Sequence, residues 1–325
     1  MTINEIINIV FCTDTNYIMP SGVFMKSVSV NNGKNNINFH CIVDESVTEE
    51  DERSLVEVLA DNNLHKISFY RVVGSDFENM PNLDVSEEYA KKNKVTATHT
   101  TKACYYRLSM AELLPKNLNR VLYFDCDIIV TQNLMPMWQT DLEGNAVAAV
   151  VDEGELVMSY DQLEYSPEFG YFNSGAMVID LDYWRKREIF PKFLEIIRCH
   201  AGRMRQHDQE ILNIAFHDSV KRLPIKYNLQ ENFLRRTDLI PDFYTKYGEE
   251  IEKGLKDYAV IHYTADKPWY SENNQPLKEE FYKYLRLTKW RDYKPVWKRL
   301  QYKRNIQICR FLQNLGFKGK MYRSI

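Results

Sequence analysis

Arg120-Val121-Leu122-Tyr123-Phe124-Asp125-Cys126-Asp127-Ile128-Ile129-Val130 sets two carboxylates inside an otherwise apolar run. Such a run, rich in β-branched and aromatic residues, reads as a strand buried on both faces. An unpaired carboxylate is costly there, so a cation is the natural partner. If the segment stays extended, Asp125 and Asp127 point to one side and can chelate one ion together. The spacing alone does not establish this. Asp180-Leu181-Asp182 has it too, and reads as a strand end and helix cap before Tyr183-Trp184. Carboxylates suit Mg²⁺ or Mn²⁺, and an added imidazole shifts the preference toward Mn²⁺. His262, ending Val260-Ile261, is the best placed of the seven histidines, as that ligand or as a structural residue.

Outward from this stretch, similar apolar runs recur at Ile7 to Thr13, Ile37 to Val43, Ile67 to Val73 and Ala146 to Val151. Helical patterns lie between them, at Val23 to Val30 and after Thr48, where Thr48 and Asp51 have the capping-box spacing. The alternation predicts an α/β domain with a mostly parallel sheet flanked by helices. Beyond Asp152 the pattern predicts a strand at Ala176 to Leu181, a helix from Tyr183 to Cys199 containing Pro191, and a strand at Ala259 to Tyr263. Ligands of such sheets bind beyond the carboxyl ends of the strands. Those ends carry Asp14-Thr15-Asn16-Tyr17, Asp125-Cys126-Asp127, Asp152-Glu153 and His262-Tyr263.

Composition narrows the chemistry. The 325 residues are 44% apolar, with 42 Lys and Arg against 45 Asp and Glu, enough for a full core and close to neutral overall. The charge is uneven: 283–325 holds 13 basic residues and one acid, Asp292. The acidic remainder excludes nucleic acid as a partner of the folded domain. The chain has no GxG, GxSxG or HExxH, so it lacks a dinucleotide fingerprint, a P-loop, a nucleophile elbow and a zincin helix. Six cysteines without a CxxC pair predict reduced thiols and a cytoplasmic protein. The first apolar run is too short for a signal peptide, and no run approaches the roughly 20 residues of a membrane span.

Together these blocks resemble glycosyltransferase family 8, retaining sugar-nucleotide transferases that include bacterial lipopolysaccharide galactosyl- and glucosyltransferases. The resemblance starts at Asn8-Ile9-Val10-Phe11 and Asp14-Thr15-Asn16-Tyr17, then takes in Thr100-Thr101-Lys102-Ala103-Cys104-Tyr105-Tyr106-Arg107-Leu108 and Val121 to Asp127. It continues through Tyr171-Phe172-Asn173-Ser174-Gly175 and His207-Asp208-Gln209-Glu210-Ile211-Leu212-Asn213, and closes on His262-Tyr263-Thr264-Ala265-Asp266-Lys267-Pro268-Trp269. It implies a GT-A type fold, with a catalytic domain over 1–270 and a basic, aromatic-rich helical extension over 271–325. It implies that Asp14, Asn16 and Tyr17 hold the uridine end of a UDP-hexose, beside the backbone of Cys12. Asp125, Asp127 and His262 would bind the divalent ion, usually manganese, with Mg²⁺ the alternative. Arg107, Asp152, Asn173, Asp208 and Gln209 would surround the donor sugar, with Gln209 and Asp208 as the catalytic pair, and Lys267 would reach the diphosphate. The closing block departs from the family pattern: Ala265 stands where glycine is usual, and the spacing to Lys267 is one residue shorter.

Each of these residues also has a plain structural reading. Arg107 could form a surface ion pair, Asp208 could cap a helix from Gln209 to Phe216, Asn173-Ser174-Gly175 could be a turn, and Tyr17 and Trp269 could be core aromatics. The function expected is hexosyl transfer, of galactose or glucose, to a glycan or lipid-linked acceptor in cell-surface polysaccharide or lipopolysaccharide synthesis. Two other classes are weighed against it. A sugar-1-phosphate nucleotidylyltransferase needs a basic glycine-rich loop where this chain has Asp14-Thr15-Asn16. A non-catalytic binding module would not need an intact ligand set. The basic tail, 283–325, with Trp290, Trp297, Tyr302, Phe311, Phe317 and Tyr322, suits an anionic membrane surface at the inner face or docks back on the acidic domain.

Overall fold

The computed structural model describes residues 5–72, 102–200, 204, 206–298, 300, 303–316 and 319–323. Val73, Thr100, Thr101, Tyr302 and Phe317, singled out above, lie outside them. The amino-terminal half alternates β1 (Ile6–Thr13), α1 (Ile18–Asn31), β2 (Asn36–Val43), α2 (Glu49–Glu57) and β3 (His65–Arg71). Then come β4 (Arg120–Phe124), β5 (Ile128–Val130), β6 (Val147–Val151) and β7 (Phe172–Asp180). The carboxyl-terminal half adds α3 (Leu181–Lys186), α4 (Ile189–His200), α5 (Asp208–Phe216), β8 (Val220–Arg222), α6 (Pro241–Lys256), β9 (Val260–His262), α7 (Lys278–Leu285) and α8 (Lys303–Asn314).

Seven strands form one sheet in the order β3-β2-β1-β4-β7-β6-β8, parallel except where β7 runs against β4 and β6. Both faces are covered, which is why its strands are apolar without alternation. Ile7, Ile9 and Phe11 of β1 pack into one core cluster, while Val10 packs into the other. Helix α1 is buried nearly all round, from Ile18 to Ser29, and packs on α2, β5 and α7. Thr48 and Asp51 form the expected capping box on α2, and Asp180 accepts from the Tyr183 amide as the cap of α3.

Two sequence expectations are corrected. The helix read over Tyr183 to Cys199 is two helices, α3 and α4, broken where Glu188 takes a φ of 48°. Pro191 explains the break: it has no N–H to donate to residue 187 and its ring would clash there, whereas in the first turn of α4 neither matters. The run through Asp125-Cys126-Asp127 does not stay extended either. Strand β4 ends at Phe124, the chain turns, and β5 joins a separate two-stranded antiparallel sheet with β9, pairing Ile128 with His262.

That turn positions the site. Antiparallel β7 sets its first residues against the carboxyl ends of β4 and β6, since Phe124 is opposite Ala176 and Val151 is opposite Phe172. Asp125, Asp152 and Asn173-Ser174-Gly175 therefore meet at one rim, and the β5 and β9 pair brings His262 to it.

Candidate active site

Asp125, Asp127 and His262 converge so that one ligand atom of each lies within 4.8 Å of the others, the one such His, Cys, Asp and Glu cluster found among the described residues. Each carboxylate turns its two oxygens to different neighbours. Asp125 Oδ1 accepts from Arg107 Nη2 at 2.7 Å and from the Tyr123 hydroxyl at 3.0 Å, while Oδ2 faces His262 Nε2 at 3.9 Å. Asp127 Oδ2 accepts from Lys267 Nζ at 2.5 Å, while Oδ1 faces His262 Nε2 at 3.3 Å. One oxygen of each acid is thus held by a protein cation, and the other points with the imidazole toward a common place. Two carboxylate oxygens and one imidazole fit a hard to borderline divalent ion. Burial raises the Asp127 carboxyl, but the charges of Lys267 and His262 outweigh it and hold the group well below the usual carboxylate range.

Glycine is required at 175 by close approach. A Cβ there would come within 2.2 Å of His262 Cε1 and 2.9 Å of Asp125 Oδ2. Asn173-Ser174-Gly175 is part of β7 and not a turn, and Asn173 and Ser174 line the cavity described below.

Arg107 is buried, not a surface pair. Its guanidinium bridges Asp125 and, through Nε at 3.0 Å, Asp208, donates to the Ser174 carbonyl at 3.2 Å, and lies over the Tyr123 ring at 4.5 Å. Asp208 is the first residue of α5 and not its cap, because its carboxylate is engaged by Arg107. The cap position belongs to His207, whose φ of 48° turns the chain so that Asp208 and Gln209 face inward. Gln209 is oriented by chemistry: Nε2 donates to Asp152 Oδ2 at 3.0 Å, and Oε1 accepts from the Ser174 amide at 3.0 Å. Asp152 also accepts from Asn173 Nδ2 at 2.9 Å and from the Gly154 amide at 2.7 Å.

These nine residues, Arg107, Asp125, Asp127, Asp152, Asn173, Asp208, Gln209, His262 and Lys267, line one cavity of about 560 Å³. Cys12, Asp14, Asn16 and Tyr17 are not in its wall. They lie beside it at the end of β1, where Cys126 Sγ donates to the Cys12 carbonyl at 3.1 Å and Asp14 accepts from the Asn16 amide at 2.9 Å. Tyr17 packs edge-on to Trp269, a core residue, with centroids 5.7 Å apart. Lys267 reaches Asp127 despite the shortened spacing, and it also donates to the Tyr263 carbonyl at 2.7 Å.

Glu153, in the cavity wall, and Asn228, buried behind it, are among the residues that carried no assignment from sequence. Asn228 sits behind His262, and nothing local marks it out. Glu153 had a signal, an acid at a strand end, but no role. Its Oε1 accepts from the Thr264 hydroxyl at 2.7 Å and its Oε2 from the Asn232 amide. Desolvation pushes Glu153 up to about 7, the Asn232 N–H opposing and Asp152 adding to the rise. A free glutamate titrates near 4.3, so over roughly pH 4 to 7 the folded chain keeps a proton the unfolded chain releases, and stability falls as pH rises through that window. Glu153→Gln is therefore expected to be more stable than the parent at pH 8, by on the order of 2 kcal/mol, and level with it below pH 4. Urea midpoints at the two pH values measure this; a larger gain in acid would contradict it.

Comparison with known proteins agrees with this geometry. Residues 8–273 match the model of glycosyl transferase family 8. The chain is 27% identical to general stress protein A of Bacillus subtilis over 88% of its own length and 96% of that protein. It is 27% identical to a lipopolysaccharide 1,2-glucosyltransferase of Escherichia coli over 90% of its length and 81% of the relative's. A lipopolysaccharide 1,3-galactosyltransferase of Salmonella typhimurium is 26% identical over 84% of this chain and 76% of the relative. Among solved structures, the galactosyltransferase LgtC in complex with donor and acceptor sugar analogs superposes with a TM-score of 0.69 at 24% identity, over 87% of this chain and 96% of that one. The bifunctional glycosyltransferase WbbM gives 0.72 at 20% identity, over 90% of this chain and 51% of that one. A GT-A type α/β sheet, a rim of carboxylates at its strand ends and a family match over most of the chain lead to one conclusion: this protein belongs to glycosyl transferase family 8 and is a hexosyltransferase.

Proposed function

We propose that the protein moves galactose or glucose from a UDP-sugar to a glycan or lipid-linked acceptor of a cell-surface polysaccharide or lipopolysaccharide, with retention at the anomeric carbon and dependence on Mn²⁺ or Mg²⁺. The observation that carries this is the division of the Asp125 and Asp127 oxygens, one of each to Arg107 or Lys267 and one of each toward His262 Nε2. A bound ion would add positive charge where the donor diphosphate departs. Lys267 is the protein's own cation on that side, and Asp14, Asn16, Tyr17 and the Cys12 backbone are assigned to the uridine end.

Breaking the anomeric bond leaves negative charge on the phosphate and positive charge on the sugar ring. Arg107, Asp152, Asn173, Asp208 and Gln209 are assigned to the sugar. Gln209 offers an amide oxygen already turned by Asp152 and Ser174, suited to stabilising positive charge and poor as a nucleophile; Asp208 is tied to Arg107. Front-side attack by the acceptor hydroxyl, its proton passing to the leaving phosphate, follows from that assignment. The test is UDP release from UDP-glucose and UDP-galactose, with and without chelator, and NMR of the product. Gln209→Ala should lower turnover by about 10² while UDP affinity stays near the parent's. An inverted product, or release unaffected by chelator, refutes the proposal.

The tail bears on where the enzyme works. Part of it docks back: the Trp290 ring leaves no room for a Cβ on Gly22, Tyr322 donates to Glu231 at 2.6 Å, and Arg310 donates to the Ser271 carbonyl at 2.9 Å. Helix α8 nevertheless leaves Ile308 and Phe311 exposed beside Lys303 and Arg304, with Leu315 exposed just past its end. We assign this face to an anionic membrane surface, consistent with a cytoplasmic enzyme at the inner leaflet. Phe311→Glu preserves the docked contacts, which truncation would remove. The parent should float with phosphatidylglycerol vesicles at moderate salt and the variant should not; a parent that stays in solution ends the membrane assignment.

A further inference from the structure

Asn228 is fully buried, and both ends of its amide are hydrogen-bonded. The directions of those bonds are forced. Asp152 can only accept, so Asn173 Nδ2 donates to it, at 2.9 Å. Asn173 Oδ1 therefore accepts, from the Gly175 amide at 3.0 Å and from Asn228 Nδ2 at 2.8 Å. Asn228 Oδ1 is then left to face His262 Nδ1, at 3.0 Å, and as an acceptor it requires the proton on Nδ1. Nε2 is the ring nitrogen that faces Asp125 and Asp127. At the other end, Asp152 Oδ2 also takes the Gln209 Nε2 bond. His262, Asn228, Asn173, Asp152 and Gln209 thus form one hydrogen-bonded series with a single permitted orientation.

We propose that Asn228 is a positioning residue that holds His262 as the Nδ1-protonated tautomer, with Nε2 presented for the ion, and that through Asn173 and Asp152 it keeps the Gln209 amide in one orientation. This rests on the assignment of Asp125, Asp127 and His262 to the metal. Two substitutions separate the two effects. Asn228→Leu removes both bonds. Asn228→Asp keeps an acceptor for His262 Nδ1 but cannot donate to Asn173. Asn173 then either sets its oxygen against the new carboxylate or flips and sets that oxygen against Asp152, and either arrangement disturbs Gln209.

The first measurement is the ¹⁵N imidazole spectrum of the metal-free protein at pH 8. The parent and Asn228→Asp should carry the His262 proton on Nδ1, and Asn228→Leu should not. The second is Mn²⁺ affinity by EPR with UDP present, expected to fall by about 10-fold or more in Asn228→Leu and to stay near the parent's in Asn228→Asp. The third is kcat, expected to fall about 10-fold or more in Asn228→Asp although its metal affinity is kept. A parent His262 without a proton on Nδ1, or unchanged Mn²⁺ affinity in Asn228→Leu, overturns the assignment of Asn228 to His262. Parental kcat in Asn228→Asp overturns the link to Gln209. If Asn228→Leu does not fold, the parent spectrum and Asn228→Asp still decide both. A parent that binds no Mn²⁺ with UDP defeats the metal assignment instead, and the metal-free spectrum reports on Asn228 independently.

Discussion

Asp127→Asn is expected to lower hexosyl transfer by about 10³ or more while the protein stays folded. Asp127 does two things at once: Oδ1 faces His262 Nε2, and Oδ2 holds Lys267. The amide keeps the shape but removes the charge from both, so an ion at this place loses an anionic ligand and Lys267 loses the partner that sets its position. Charge stabilisation of the departing diphosphate is worth several kcal/mol, and each 1.36 kcal/mol is a factor of ten in rate. The fold should survive, because the deleted charge sits at the cavity wall and not in either core cluster. Turnover of the variant within tenfold of the parent's, both supplied with Mn²⁺, would remove Asp127 from the reaction.

Arg107→Met is expected to cost about 3–5 kcal/mol of stability and to abolish turnover. The guanidinium is the buried partner of Asp125 and Asp208, and methionine replaces only its stem. Removing one member of a buried charge network leaves the others without compensation, which is the expensive case. Arg107→Lys should recover little, since an ammonium cannot reach two carboxylates and a carbonyl in one plane or lie flat on Tyr123. Asp208→Asn in the Arg107→Met background should return part of the lost stability by deleting an orphaned charge, so the two changes are non-additive. Denaturant midpoints of the single and double variants measure this; strict additivity would mean that Arg107 and Asp208 are not a pair in solution.

By itself the sequence determined the features whose cause is local. Strands buried on both faces announce themselves as unbroken runs of Ile, Val and Phe, as in β1 and β2. The capping box at Thr48 and the cap at Asp180 are spacings within one turn of chain. The pair Asp125 and Asp127 was visible because carboxylates within an apolar run demand a reason, and His262 because it ends a short apolar strand. Pro191 was equally visible, and its geometry, read strictly, already forbade a continuous helix there.

Only the tertiary structure decided which groups meet. That Asp125 pairs with Arg107 and Asp127 with Lys267, that Asp208 answers to Arg107 and does not cap its helix, and that Asn228 stands behind His262 all depend on contacts between residues far apart in the chain. Those contacts follow from β7 running against β4 and from the chain leaving the large sheet at Asp125 to pair β5 with β9. Strand order is set by the packing of whole surfaces, and neither a period of two nor a period of 3.6 encodes it. Gly175 shows the difference in one residue: its neighbours in sequence allow almost any side chain, and His262, 87 positions later, allows none.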